Sequence, residues 1–448
     1  MIEIYCVGGF NEVGKNCVAV KVDDEVVIFD MGLQMDKYIR YTEEERETEI
    51  IDLSSKKLTE LGIVPDLNTI RPWLSKVVAI VPTHAHLDHM GALPFLADKC
   101  QSKVFCTPYT KAVIDIINSD NNFHMETPIL AIEQNKPYAI SERLSIELVN
   151  VTHSVPQSAI AVLHTPYGQI VYTNDFKLDD EPVLGKVTNY ARLEALGNQG
   201  KVRCLLLDSI NAEHDEQTPS EATARAMLKE VLLEDEKSDR NKVIMVTTFS
   251  SHIARLKTIM EFGRKLHREV VFIGRSLRRY IAAAEQIGLV QFQQESRVLS
   301  FKNKIQKMFK KIEKDKGKYL VICTGHQGEP QSVLSKIVDG IYKFRFEKGD
   351  KIIFSCRTIP APVNIKNREV LEKKLKKTKA VIIKDIHVSG HGSKHDQKRL
   401  IELLRPHYII PSHAPEKMVK PVEALGREMG YKPEQVRLMK DGKSLVIE

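Results

Sequence analysis

The segment 82–89 carries the sequence PTHAHLDH and concentrates metal-binding side chains in a chain of 448 residues. It holds His84, His86, Asp88 and His89, directly after the apolar run VVAIV. Imidazole nitrogens and carboxylate oxygens are the ligands that Zn²⁺ and similar divalent ions prefer. A strand that ends where the ligands begin can hold them rigidly. The segment therefore predicts a divalent metal site, the alternative being a polar loop with scattered histidines.

Further aspartate and histidine residues follow apolar segments that are typical of strands. Each alone is compatible with a capping aspartate or a surface histidine. Their repetition at strand ends indicates that several strands deliver polar side chains to one shared site at a sheet edge. These residues are Asp30, His153, Asp175, Asp208, His391 and His413.

The number of candidate ligands favours two adjacent metal ions over one. Two ions can neutralise the negative charge that develops when a phosphorus centre is attacked. Because two neighbouring cations repel each other, a carboxylate that bridges them is useful, and Asp175 is the candidate for that role. Such a pair of ions would suit hydrolysis at a phosphorus centre.

The elements that would position these residues change in character along the chain. Short strand-like segments dominate the first part, at 2–7, 17–22, 26–29, 77–81, 144–151 and 169–173. A charged excursion over 41–69 includes a predicted helix at 53–61. Beyond residue 215, helical segments alternate with isolated apolar strands, which implies a parallel sheet with helices on its faces. Short strands then return at 381–383, 408–410, 435–438 and 444–447.

We therefore predict an α/β domain inserted into a β-rich one. Residues 1–213 form the first part of the β-rich domain, residues 214–364 form the insert, and residues 365–448 form the return segment of the β-rich domain.

The order of these motifs resembles the metallo-β-lactamase superfamily, which has a strand followed by Asp, then H-x-H-x-D-H, a His, an Asp and a late His. Asp208, His391 and His413 resemble the three later motifs of the β-CASP nucleases, and the segments 208–213, 274–276 and 324–330 resemble archaeal RNase J. The resemblance spans the whole chain. It implies an α/β fold, a metallo-β-lactamase αββα sandwich with an inserted α/β β-CASP domain.

The resemblance also implies roles for the candidate residues. Two Zn²⁺ ions per chain would be bound, and manganese accepts the same ligands. His391 would face the scissile phosphate as a proton donor or charge stabiliser, Asp208 would orient His391, and Asp30 would orient a ligand imidazole. The implied ligands are His84, His86 and His153 for one ion, Asp88, His89 and His413 for the other, and Asp175 as the bridge.

Strand-to-helix corners offer hydroxyl and amide groups that can receive phosphate oxygens, although ordinary helix capping explains such residues equally well. The candidates for RNA or phosphate binding are Ser250, Ser251, Arg275, Ser276 and Ser355 in the insert, and Ser389, Gly390 and Gly392 beside the metal ligands. Family members often have Ser where His326 stands and Gly-Glu where Ala414 and Pro415 stand, which puts substrate contacts in question.

The activity that the resemblance implies is 5′-to-3′ exonuclease action on single-stranded RNA with a preference for a 5′ monophosphate, serving RNA processing and decay. The net charge of +7 is a mild bias toward polyanions. Two lysine-rich blocks, at 302–318 and 366–379, are compatible with solvated helix faces. The block at 302–318 is alternatively a surface for RNA or another subunit, and a homodimer stays open.

Other features of the sequence bear on its environment. Seven dispersed cysteines without a C-x-x-C pair indicate reduced thiols rather than a disulfide framework or a Cys-based zinc site. The sequence lacks a long apolar segment and a secretion signal. We expect a cytoplasmic protein that does not bind a membrane.

Three other functions are compatible with parts of the sequence. The first is a β-CASP endoribonuclease of the cleavage and polyadenylation type, although the archaeal members carry N-terminal KH domains and this chain starts on a strand. The second is a small-molecule metallo-hydrolase such as a thioesterase or lactonase, which would need neither the insert nor Asp208 and His391. The third is a non-catalytic RNA-binding protein, which would be expected to lack some of the ligands.

Overall fold

The computed structural model describes residues 1–44, 53–234 and 241–447. It divides the chain into two compact units. The first unit comprises Met1–Asp180, Gly185–Thr218 and Ser389–Glu448, and the second comprises Glu181–Leu184 and Pro219–Val388. The second unit is therefore inserted into the sequence of the first, which is the arrangement that the sequence predicts.

The strands follow one another directly in parts of the first unit and alternate with helices beyond Gly168–Tyr172. They are β1 (Ile2–Gly8), β2 (Cys17–Val22), β3 (Glu25–Phe29), β4 (Val77–Val81), β5 (Val104–Cys106), β6 (Ile129–Ala131), β7 (Pro137–Ala139), β8 (Ser145–Asn150), β9 (Ala159–Thr165), β10 (Gly168–Tyr172), β11 (Val202–Asp208), β12 (Ile244–Thr247), β13 (Glu269–Ile273), β14 (Arg297–Leu299), β15 (Tyr319–Cys323), β16 (Lys351–Phe354), β17 (Val381–Ile383), β18 (Tyr408–Ser412) and β19 (Ser444–Ile447).

The described α-helices are α1 (Met35–Glu44), α2 (Ser55–Glu60), α3 (Leu87–Met90), α4 (Leu93–Leu96), α5 (Pro108–Asn121), α6 (Tyr190–Asn198), α7 (Glu221–Leu233), α8 (Ile253–Lys265), α9 (Arg275–Gln286), α10 (Phe292–Glu295), α11 (Lys302–Lys314), α12 (Val333–Val338), α13 (Pro362–Lys376), α14 (Lys394–Leu404) and α15 (Glu416–Glu428). Short 3-10 helices lie at Leu67–Lys76, Ala97–Cys100, Lys316–Lys318 and Pro433–Gln435.

The first unit is an αββα sandwich of two sheets. One sheet has the order β19-β1-β2-β3-β4-β5-β6 and the other has the order β18-β11-β10-β9-β8-β7. The apolar faces of the two sheets form one core, in which the rings of Phe29 and Tyr172 lie 5.5 Å apart. On the outer face of the second sheet, Leu193 of α6, Leu400 of α14 and Val422 of α15 form another core. Helix α5 and the 3-10 helix Leu67–Lys76 contact strands of the first sheet.

The second unit contains a six-stranded sheet with the order β14-β13-β15-β12-β16-β17. Every neighbouring pair in it is parallel, because each strand is followed by a helix that returns the chain to the same end. Phe309 of α11, Leu334 of α12 and Leu371 of α13 share a core with the strands. The α/β fold predicted from strand–helix alternation is confirmed.

Two details differ from the sequence-based expectations. Residues 435–438, predicted as a strand, instead contain the end of a 3-10 helix and one isolated bridge between Val436 and Ile409. Strand β17 pairs with β16 in the sheet of the second unit, so that this unit runs to Val388 rather than to residue 364. The assignment of domain boundaries stays a proposal.

The predicted helix at 53–61 is present as α2, whereas residues 45–52 of the charged excursion lie outside the described residues. Within the described ranges, no helix combines the length and apolarity that a membrane span requires.

Candidate metal centre

The carboxyl ends of several strands of the first unit meet at one edge of the sandwich. Strands β3 and β4 are parallel in the first sheet, and β10, β11 and β18 are parallel in the second sheet. Strand β8 runs in the same direction as β10, because both are antiparallel to β9. The predicted site residues follow these strands or end them: Asp30 after β3, His84 to His89 after β4, His153 after β8, Asp175 after β10, Asp208 at the end of β11, and His413 after β18.

One group of four side chains has its ligand atoms within 4.8 Å of one another. It consists of His84, His86, His153 and Asp175. His86 Nδ1 lies 3.0 Å from His84 Nε2 and 3.4 Å from His153 Nε2. Asp175 Oδ2 lies 3.6 Å from His84 Nε2 and 3.7 Å from His153 Nε2. Tetrahedral ligands at zinc distances are separated by about 3.3 Å, so this group can hold a metal ion.

A second group consists of Asp88, His89, His413 and again Asp175, also within 4.8 Å of one another. Asp175 Oδ1 lies 3.1 Å from His89 Nε2 and 3.4 Å from His413 Nε2. Asp88 Oδ2 lies 3.8 Å from each of the same two nitrogens. The two carboxylate oxygens of Asp175 therefore face different groups, which is the geometry required of a bridging ligand.

Asp175 carries the strongest indication that these groups suit a cation. The residue is 2% exposed, and its Oδ1 makes no hydrogen bond among the described residues. A buried carboxylate oxygen without a donor costs free energy unless a positive charge is nearby. Imidazole nitrogens surround this oxygen, and a bound metal ion would satisfy the oxygen and those nitrogens together.

Asp30 holds one of the candidate ligands in a fixed orientation. His89 Nδ1 donates a hydrogen bond of 2.7 Å to Asp30 Oδ2, which leaves His89 Nε2 directed at Asp175. The Thr83 amide and hydroxyl donate to Asp30 Oδ1 at 2.7 and 3.0 Å. Asp30 is fully buried, and these contacts with Thr83 and His89 fix the position of its carboxylate. A carboxylate with such a contact can orient the imidazole of a metal ligand, the role proposed for Asp30.

His391 and Asp208 form a hydrogen-bonded pair beside the first group. His391 Nδ1 donates to Asp208 Oδ2 at 2.8 Å, and His391 Nε2 lies 3.8 Å from Asp175 Oδ2. The His391 side chain is 21% exposed, whereas the candidate ligand His153 is 1% exposed. The His391 imidazole is therefore partly open to solvent, and its contact with Asp208 fixes its orientation.

Burial and charge set the protonation of these histidines. Burial lowers the pKa of His86 to about 4 and lowers the pKa values of His84 and His153 well below the usual value. Neutral imidazoles keep the lone pairs that metal ligands need. Burial opposes protonation of His89 and His391 too, but neighbouring carboxylates raise the pKa of His89 well above its usual value and that of His391 to about 9.

Sequence reasoning missed Asn16, which lies beside the second group of ligands. The residue is buried, with 2% of its surface exposed. His413 Nδ1 donates to Asn16 Oδ1 at 2.8 Å, so His413 Nε2 faces the ligand cluster. Asn16 Nδ2 donates to the Asp88 carbonyl at 3.0 Å and lies 3.0 Å from His89 Nε2. The glycine-containing segment GFNEVGKN directly after β1 was the available signal.

Sequence reasoning also missed that the backbone at Gly390 orients a candidate ligand. His153 Nδ1 donates to the Gly390 carbonyl at 2.7 Å, which fixes the tautomer that directs Nε2 toward Asp175. A side chain at Gly390 would collide with His153, because a Cβ atom there would lie 2.9 Å from the ring. Gly390 thus contributes to the metal centre, in addition to its proposed role toward phosphate.

The RNA-binding candidates of the first unit are partly engaged by the protein. Ser389 Oγ accepts hydrogen bonds from Asn211 Nδ2 and from the His391 amide, at 2.9 and 3.1 Å. The Gly392 amide donates to the Phe176 carbonyl. The Gly392 amide is therefore already engaged by the protein, and Gly392 stays a candidate for phosphate binding.

The RNA-binding candidates of the second unit are also partly engaged by the protein. Ser355 is fully buried, and its hydroxyl donates to the Ile386 carbonyl and accepts from Arg255, so this hydroxyl is already engaged by the protein. The hydroxyls of Ser250 and Ser276 lie 2.9 Å apart. Ser251, the residue after Ser250, is buried. Arg275 is exposed at the start of α9. All five residues stay candidates.

Family models match three parts of the chain. A beta-lactamase superfamily domain matches residues 63–230, a ribonuclease J beta-CASP domain matches residues 241–372, and a Zn-dependent metallo-hydrolase RNA specificity domain matches residues 377–437. The last of these contains the candidate residues His391 and His413.

Two curated relatives match over nearly their full length. Ribonuclease J of Methanocaldococcus jannaschii is 39% identical, over 100% of this chain and 99% of the relative. Ribonuclease J of Pyrococcus abyssi is 40% identical, over 96% of this chain and 94% of the relative. A solved protein of unknown function from Enterococcus faecalis V583 has a TM-score of 0.65 with 18% identity, covers 99% of both chains, and supports the fold alone.

Proposed function

The chain belongs to the ribonuclease J family, and from this premise we propose that it is a two-zinc exoribonuclease that degrades single-stranded RNA from the 5′ end. The observation that carries the proposal is the shared carboxylate of Asp175, whose two oxygens face two separate groups of ligand atoms. A site for a single ion would not need both groups.

We assign one ion to His84, His86 and His153 and the other to Asp88, His89 and His413, with Asp175 as the bridge. The nitrogen-rich donor set favours zinc, although manganese accepts the same ligands. When bound, the ions would supply Lewis-acid stabilisation of the negative charge on the phosphate. Asp30, Asn16 and the Gly390 carbonyl hold three of the imidazoles in the orientation that this binding requires.

His391 is the proposed proton donor to the leaving oxygen. Its Nδ1 is fixed by Asp208, so its Nε2 is the atom available to a substrate. Asp208 keeps the imidazole in one tautomer, as carboxylates do for catalytic histidines in general. Thr218 Oγ1 and Asn211 Nδ2 both donate to the carbonyl of His391, which fixes the backbone from which the ring projects.

The direction of degradation and the preference for a 5′ monophosphate are inferred from family membership. The candidates for contacts with RNA phosphates are Ser250, Ser251, Arg275, Ser276, Ser355, Ser389, Gly390 and Gly392.

Digestion of a uniformly labelled single-stranded RNA tests the proposal. A 5′-monophosphate RNA should release labelled mononucleotides faster than its 5′-hydroxyl twin, and a chelator should stop both reactions. Discrete labelled fragments would instead indicate an endonuclease, and equal rates for the two RNAs would contradict a pocket for the 5′ phosphate.

A further inference from the structure

Helix α11 of the second unit presents a lysine-rich face to solvent. Its apolar face is buried through Ile305, Met308, Phe309 and Ile312, at the spacing of an amphipathic helix. Its other face is exposed and basic. The exposed lysines are Lys302, Lys304, Lys307, Lys310, Lys311 and Lys314. Lys316 and Lys318 continue the block in sequence, but Lys316 is buried in an ion pair with Asp350 at 2.8 Å and does not belong to the exposed face.

The charge of this face is not neutralised by the protein. In the part of the chain that the structure describes, none of the six lysines forms an ion pair, whereas Lys374 on α13 contacts Asp339 and Lys384 contacts Glu372. Glu313, the acidic residue of α11, accepts a hydrogen bond from the Arg345 amide. Like charges three and four residues apart destabilise a helix, so the face is costly to the free protein and suits a polyanionic partner.

The positive surface extends beyond the first turn of α11. Burial lowers the pKa of Lys336 on α12, and the charges of Arg275 and Lys302 lower it further. Three cations from the starts of α9 and α11 and from α12 therefore act on one another. Phosphate groups are the partners that such clusters commonly bind.

An exposed aromatic side chain lies at the start of the lysine face. Phe301 is 66% exposed. It occupies the N-cap position of α11, where its side chain makes no hydrogen bond to the helix. Lys304 Nζ lies 5.7 Å from the centroid of its ring. Proteins that bind single-stranded nucleic acids combine lysine and arginine contacts to the backbone with aromatic rings on which bases stack. Phe301 supplies the second component.

We propose that Phe301 and the exposed lysines of α11 form an auxiliary surface for single-stranded RNA, separate from the metal ligands. Lys304, Lys307, Lys311 and Lys314 follow one another at three- and four-residue intervals, a cation about every 5 Å along the helix. This row matches a polymer with one phosphate per nucleotide, and Phe301 accepts an unpaired base at its end. The inference rests on the proposed function, because it takes RNA to be the substrate.

Binding of a fluorescent 30-nucleotide RNA, measured by anisotropy in the presence of chelator, tests the surface without cleavage. We compare Lys304→Glu/Lys307→Glu/Lys311→Glu with a charge-matched control, Lys99→Glu/Lys186→Glu/Lys398→Glu, whose lysines are exposed in the first unit. The α11 variant should lose at least tenfold in affinity relative to the control. A plot of the logarithm of its RNA affinity against the logarithm of the salt concentration should be less steep by about 2, because three phosphate contacts are lost. Affinities within twofold of the control would overturn the proposal.

Phe301→Ala tests whether the partner is RNA rather than any polyanion. It should weaken RNA binding about fivefold, as expected for one lost stacking contact, and leave binding of inorganic polyphosphate unchanged. Equal losses for both ligands would overturn the stacking role, and displacement of RNA by polyglutamate at equal charge would point to an acidic protein instead.

Cleavage of a short 5′-monophosphate RNA, assayed with zinc, separates the two proposals. If binding responds as expected while even the unmodified protein fails to cleave, the proposed function fails and the surface stands. If the unmodified protein cleaves the RNA and binding ignores the α11 substitutions, the surface fails and the proposed function stands.

Discussion

Asn16 distinguishes the two ligand groups at the scale of single residues. It touches His413, His89 and the Asp88 backbone, which all belong to the second group, whereas no hydrogen bond joins it to His84, His86 or His153 in the described structure. Partners that orient metal ligands typically contribute ten- to hundredfold to metal affinity. Because Asn16 contacts one group alone, its removal should affect one ion alone.

We therefore expect Asn16→Ala to weaken one of two zinc-binding steps about ten- to hundredfold and to leave the other unchanged. Asn16→Asp keeps an oxygen acceptor for His413 Nδ1 and should restore much of the lost affinity. Titration calorimetry on the metal-free protein measures both steps, with the exposed Asn68→Ala as the control. Equal weakening of both steps would show that Asn16 acts through general stability instead.

His391 should behave in the opposite way, because it is proposed to act on the substrate and not on the metals. His391→Ala should lower kcat about a hundred- to ten-thousandfold, the usual contribution of a positioned proton donor. The zinc content should stay at two ions per chain. Metal analysis by mass spectrometry and single-turnover cleavage provide the two measurements, with His395→Ala, an exposed neighbour, as the control. Loss of zinc in His391→Ala would place this residue among the ligands.

At the scale of elements, strand ends explain which parts of the site were predictable. Apolar runs followed by Asp or His are visible in the sequence, and parallel strands necessarily bring such ends together. The orienting roles of Asn16 and of the Gly390 carbonyl were not visible, because an amide and a backbone oxygen gain these roles from partners hundreds of residues away.

Strand pairing and burial are two further features that the local sequence does not determine. The segment Val381–Ile383 has a strand-like sequence, but nothing local decides whether it joins the first unit or pairs with β16 in the second. The hydroxyl of Ser355 looks available in the sequence and is enclosed in the fold by Arg255 and Ile386.

Strand β8 also carries a charged residue that stabilises the fold without a role in the metal centre. Glu147 is fully buried and accepts two hydrogen bonds from Arg192, at 2.7 and 2.8 Å, and one from His164, at 2.9 Å. Burial alone would raise its pKa, but Arg192 and His164 lower it to about 2. Since the folded protein holds this carboxylate deprotonated more strongly than the unfolded chain, its contribution to stability is present above the unfolded pKa and is lost as pH falls.

We expect Glu147→Gln to lower the free energy of unfolding by about 3 kcal/mol at pH 7, the amount that corresponds to the lowered pKa. The difference from the unmodified protein should fall below half of that value at about pH 3. Urea unfolding followed by the fluorescence of Trp73, the single tryptophan of the chain, reports on the first unit. Glu133→Gln, in an exposed ion pair with Lys136, should change stability by less than about 0.5 kcal/mol. A pH-independent effect of Glu147→Gln would contradict this explanation.

At the scale of the whole molecule, the proposed ligands connect segments that are remote along the chain. His84 and His413 follow strands of different sheets of the first unit and belong to sequence segments on opposite sides of the inserted second unit. An ion that binds the folded arrangement and not the unfolded chain stabilises the fold by mass action. At a free concentration a hundredfold above the dissociation constant, each ion contributes about 2.7 kcal/mol.

Removal of metal should therefore lower the unfolding temperature of the first unit, and readdition of zinc should restore it. For two ions the expected change is about 10 °C, because a kcal/mol corresponds to about 2 °C in a unit of this size. Asp175→Asn removes the charge that both groups share, so its unfolding temperature should respond little to chelator. Trp73 fluorescence during heating measures the unfolding temperature of the unmodified protein and of Asp175→Asn, each with and without chelator. If the unmodified protein melted at the same temperature with and without chelator, no ion would be joining these segments, and the arrangement of Asp175 between two groups of histidines would need a different physical explanation.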